Sequence, residues 1–115
     1  PEMAAHRIDS LKGRRVLLLG DSRMAFPVAK ALSQTGCQVF ASVSVFSNYL
    51  EWSRHVRGSF RHPSFEPGTD EPLPYVLHWL DAHGPVDAIQ PVSEAASRFL
   101  TRHREVFERR TALVM

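Results

Sequence analysis

The sequence predicts an α/β domain, a three-layer, doubly wound parallel sheet of about five strands with helices on both faces. Three observations carry this expectation. Short continuous apolar runs, Val16-Leu17-Leu18-Leu19 foremost, have the composition of strands buried on both faces, as parallel strands are. Segments with apolar residues at helical spacing lie between these runs, so strand and helix signals alternate along the chain. The 115 residues, 43% of them hydrophobic, fit one domain with one core.

Residues 1–13 are polar and irregular, with Ile8 and Leu11 as their main apolar anchors, and read as an N-terminal tail; the domain is expected over 14–115. Arg15 to Gly20 is the first strand, at the centre of the sheet. Ala25, Val28, Ala29 and Leu32 follow at helical spacing, Pro27 is tolerable in a first turn, and Gly36 stands where a helix-ending glycine belongs. Gln38 to Val45 is a second β-branched apolar run. Phe46 to Arg57 has room for one or two helical turns around Tyr49, Leu50 and Trp52, and Gly58 to Arg61 for a short edge strand. His62 to Pro74, rich in proline, reads as a loop feeding a helix with Leu73, Val76, Leu77 and Leu80 on one face, stopped by Gly84-Pro85. Val86 to Val92 is the next strand, with Pro91 at its carboxyl end because proline cannot donate to a ladder. Ser93 is a natural N-cap for a single helix with Ala96, Phe99, Leu100, Val106 and Phe107 inward. Thr111 to Met115 is one more strand, and an apolar strand at the end of the sequence suggests that further chain covers it.

Composition narrows the function classes. No apolar run approaches the roughly 20 residues of a membrane-spanning helix, and no leader with a cleavage site opens the sequence. The single cysteine, Cys37, excludes an internal disulfide and fits a reducing cytoplasm, where it is expected as a small buried hydrophobe. A formal charge of +2 is too mild to argue for nucleic acid, even with a pI near 9.2. Arg98, Arg102 and Arg109 fall near one helical stripe, but Glu105 and Glu108 interrupt it as ion-pair partners, the pattern of a solvated face. His78 and His83 stand five apart without an acid or cysteine to complete a metal set. A Gly-x-Ser-x-Gly nucleophile elbow is absent.

Ligands of open parallel sheets bind at the strand carboxyl ends, where strand order reverses. Three segments should meet there: Gly20-Asp21-Ser22-Arg23, Ser42 to Asn48, and Pro91-Val92-Ser93-Glu94. The first departs from the dinucleotide fingerprint G-x-G-x-x-G/A, because Ser22 replaces the middle glycine and no acid lies between Asp21 and Glu51 to hold a ribose. Nicotinamide and flavin binding are therefore not expected, and a structural turn at Gly20 is the plain alternative.

An ordered set of motifs carries a family resemblance. Val16-Leu17-Leu18-Leu19-Gly20-Asp21-Ser22-Arg23 is followed by Ala29 to Val39, Ser53-Arg54-His55-Val56, Arg61-His62-Pro63-Ser64 and Asp87-Ala88-Ile89-Gln90-Pro91-Val92-Ser93-Glu94. Over residues 14–115 this resembles the Rossmann-like pre-ATP-grasp domain that opens ATP-grasp ligases. The resemblance implies a substrate-side domain of an enzyme that activates a carboxylate as an acylphosphate and joins it to an amine, thiol or related nucleophile. It implies ATP and magnesium in the parent enzyme, bound by downstream domains of the same chain, with no cofactor and no catalytic or metal-binding residue in this segment. Such a segment would be inactive alone. Expected partners are those downstream domains and a small-molecule substrate; neither nucleic acid nor membrane is expected, and a homodimer is compatible. The residues expected to line the substrate are Gly20, Asp21, Ser22, Arg23, Ser93 and Glu94. Glu94 leads, because in several ligases of the family the acid at this place meets the substrate amine; the competing role is a first-turn helix acid. Ser53 and Arg54 fit a structural role better than substrate contact. The different-class alternative is a stand-alone Rossmann-like module that binds a small ligand or a protein.

Overall fold

The computed structural model describes residues 12–20, 23–44, 50–65 and 70–114. In chain order these form β1 (Arg15–Leu19), α1 (Ala25–Gln34), β2 (Gln38–Ser44), a 3-10 turn (Leu50–Trp52) and β3 (Gly58–His62). There follow α2 (Leu73–His83), β4 (Val86–Pro91), α3 (Glu94–Arg102), α4 (Arg104–Glu108) and β5 (Thr111–Val114). The expected tail up to Leu11, and residues 45–49, 66–69 and 115, lie outside the described residues.

The five strands form one sheet in the order β3-β2-β1-β4-β5, parallel at every pairing. The doubly wound α/β class read from the sequence is the class of the structure. β1 is the central strand, and Leu17, Leu18 and Leu19 are fully buried. Strand alternation sends Leu17 and Leu19 to one face, where α2, α3 and α4 bring Val76, Trp79, Phe99 and Phe107. Val16 and Leu18 point to the other face, onto Ala25 and Ala29 of α1 and Leu50 of the 3-10 turn. At the edge, β3 alternates instead: Ser59 and Arg61 are exposed, and His62 is buried.

Local signals act as expected at most boundaries. Gly36 takes φ 93°, its N–H donates to Ser33 O (3.0 Å), and Cys37 N–H donates to Leu32 O (3.1 Å), so α1 closes with a Schellman pair. Pro91 is the last residue of β4, and the described pairing of β4 with β5 stops before it, at Ile89. One expectation fails. The single helix after Ser93 is broken at His103, which has φ −114° and separates α3 from α4. No glycine or proline marks the break. His103 is held from outside the helix by Asp70, whose Oδ1 lies 2.9 Å from its Nε2, and its ring packs 5.0 Å from Phe99 of α3. Phe107 still reaches the core, while Val106, expected inward, is half-buried.

Candidate functional site at the carboxyl edge of the sheet

The chain runs outward from β1 to β2 and β3, then returns to place β4 on the other side of β1. The crevice between β1 and β4 is therefore the switch point. Val92 N–H donates to Leu19 O (2.9 Å), which extends the β1–β4 ladder to this edge. Gly20 comes next, with φ 101°. Its N–H donates to Oγ of Ser42, a fully buried serine of β2, at 3.2 Å. A β-carbon on Gly20 would stand 2.8 Å from Ser93 Oγ and 3.4 Å from the β-carbon of Ala96. Glycine is thus required twice, by the backbone angle and by the close approach of α3.

Ser93 is extended (φ −146°, ψ 159°), and its Oγ accepts the N–H of Ala96 at 3.1 Å, the N-cap read from the sequence. Gly20, Ser42 and Ser93 are brought together, so two of the expected substrate residues meet across the switch point. Asp21 and Ser22 lie outside the described residues, as do Val45 to Asn48 of the second expected segment. Arg23 is exposed in the turn that enters α1. Glu94 occupies the first turn of α3, its side chain 88% exposed and 3.5 Å from Arg98 Nη1. Its carboxylate is at the carboxyl edge of the sheet, faces solvent, and complements the helix dipole there.

Ser42, the first residue of the second expected segment, joins this cluster, though it is not among the residues expected to line the substrate. A signal existed: it is the one hydroxyl within Val39 to Val43, a stretch buried on both faces, and a buried hydroxyl must find a partner. Ser53 and Arg54 lie elsewhere. Ser53 Oγ accepts the N–H of His55 (3.2 Å) within its own turn, and Arg54 lines a groove of about 400 Å³ with Gly36, Cys37 and Gln38, at the amino end of β2. Cys37 is buried, as a small hydrophobe should be.

Among the described residues no group of three His, Cys, Asp or Glu side chains is placed to hold a metal. His83 Nδ1 lies 2.9 Å from Trp79 O, and its ring stacks on Trp79 at 4.7 Å. The arginines of the C-terminal helices face acids: Arg98 meets Glu94, Arg102 meets Asp70 and Arg104 meets Glu108. No helix among the described residues is long and apolar enough to cross a membrane. Comparisons with known family models and with curated proteins find no match, so the functional reading rests on the motifs and the geometry of this edge.

Proposed function

We propose that this chain is the substrate-side domain of an ATP-dependent carboxylate ligase of the ATP-grasp type, working in the cytoplasm. The observation that carries the reading is the packing of Gly20 against Ser93 at the β1/β4 switch point. It sets Gly20, in the first motif, against Ser93, in the last. Those are two of the motifs in which the sequence resembles the family. In this reading ATP and magnesium belong to downstream domains of the same chain. This domain holds the polar end of the acceptor.

An ionised Glu94 facing a substrate ammonium would make a charge-assisted hydrogen bond, worth about 1.5–3 kcal/mol. In the full-length enzyme Glu94→Gln should raise the acceptor's Michaelis constant by about 10- to 100-fold, at about 1.4 kcal/mol per decade. The Michaelis constant for ATP should stay as it is. Steady-state kinetics with both substrates varied make the test, and an unchanged acceptor constant would return Glu94 to a helix-dipole role. The alternative of a stand-alone small-ligand or protein-binding module uses the same edge. The two readings part at the gene: the ligase requires a phosphate-clamping lysine and a Glu/Asn metal set encoded beyond Met115.

A further inference from the structure

We infer that the chain self-associates through β3, antiparallel to β3 of a second copy about a two-fold axis at Phe60. β3 is an outer strand of the sheet. Arg57 N–H donates to Val39 O (2.7 Å), and β3 pairs with β2 from Gly58 to His62. Backbone groups alternate sides along a strand, so those of Ser59 and Arg61 also face β2, while those of Gly58, Phe60 and His62 face outward. Centred on Phe60, the two copies present these outward groups to each other. Phe60 then meets Phe60 of the second copy as a hydrogen-bonded pair, and Gly58 meets His62 of the second copy likewise. Ser59 stands opposite Arg61 of the second copy, so no like charges face each other. Centring on Arg61 would set two guanidinium groups against each other. Centring on Ser59 would leave Arg61 and His62 outside the pairing.

The side chains fit the same register. Beside β3, under the outer side of α2, runs a groove of about 370 Å³ lined by Phe60, Tyr75, His78, Trp79, Ala82 and His83 among others. Directly opposed residues of antiparallel strands point to the same face, so Phe60 of the second copy would enter this groove. Trp79 lies 5.3 Å from both Phe40 of β2 and Phe60 of β3, which sets α2 above the β2–β3 seam. From that seam to the axis is one strand spacing. The two copies of α2 would therefore lie about two spacings apart, roughly 9.6 Å. Packed helices stand about 8–10 Å apart. Tyr75, His78 and Ala82, one row of α2, would form the seam between them, and Tyr75 is 50% exposed in the single chain. The fitting occupant is a second copy, because this strand matches itself in register and helix spacing with no like charges opposed.

Sedimentation velocity on the 115-residue chain across the micromolar range reads the association directly. The expected result is a concentration-dependent monomer–dimer equilibrium. Ser59→Arg places like charges opposite each other at both symmetry-related pairs and should weaken the dimer by about 2- to 30-fold. Ser59→Glu should tighten it, and Ser59→Arg combined with Arg61→Glu should restore it. Ser59 is exposed, and circular dichroism of each variant would confirm that it folds. Amide exchange should add protection at Phe60 as concentration rises. A monomer at every concentration would overturn the inference, as would a dimer indifferent to the charge at residue 59.

Discussion

Gly20 concentrates what the site demands of one residue. Its positive φ is costly for any side chain, and a β-carbon there would stand only 2.8 Å from Ser93 Oγ. Gly20→Ala should therefore lower stability by about 1–3 kcal/mol, read as a shift of the urea midpoint. Ser93→Ala should cost about 0.5–2 kcal/mol through the lost cap. The double variant should cost less than the sum, because removing the Ser93 hydroxyl makes room for the new methyl group. Strict additivity would mean that the two residues do not meet as described. The glycine was legible in the sequence as a turn residue. Its second constraint was not, since residues 20 and 93 come together only when β4 lies beside β1.

At the level of elements, the junction of α3 and α4 is tied to the turn before α2. Asp70 accepts hydrogen bonds from His103 Nε2 (2.9 Å) and from the Arg102 guanidinium (3.2 and 3.3 Å). These donors, His103 first, hold the Asp70 carboxyl below its ordinary range. A carboxyl whose pKa is lower folded than unfolded contributes stability above its unfolded pKa, and loses that contribution as pH falls through the folded value. Asp70→Asn should therefore weaken the protein at neutral pH, and the difference from wild type should vanish on the acid side of the carboxylate range. Urea midpoints measured from neutral to strongly acid pH make the comparison. A difference that persists in acid would assign the loss to packing. Sequence periodicity could not reveal this junction, because the apolar spacing of Phe99, Leu100 and Phe107 suits one continuous helix and the anchor lies 33 residues away.

Across the whole molecule, β1 joins two cores on opposite faces of the sheet. Leu17 belongs to the face covered by α2, α3 and α4 and is fully buried. Leu17→Ala should cost about 2–5 kcal/mol and lower the urea midpoint without splitting the transition, since one central strand serves both halves. A two-step transition would mean that the halves on either side of β1 fold independently.

The sequence by itself determined the class of this protein and most of its boundaries. Val16 to Leu19 pointed to an interior strand, Gly36 could close a helix, and Ser93 could cap one, because these preferences are set by neighbours a few residues away. Periodicity also placed Val76 and Leu80 inward, though it passed over Trp79, whose burial depends on Phe40 and Phe60 arriving from two other strands. Three segments were expected to meet at the carboxyl edge, but only the tertiary structure decided that Gly20, Ser42 and Ser93 are where they touch, while Arg54 stands at the opposite end of the sheet. Strand order decided as well that β3 carries its aromatic groove to the outer edge of the sheet. The physical reason is the same in each case. Local propensity acts through nearest turns and pleats, whereas the order in which strands pair brings together residues tens of positions apart, and that order is chosen by the burial of the whole sheet.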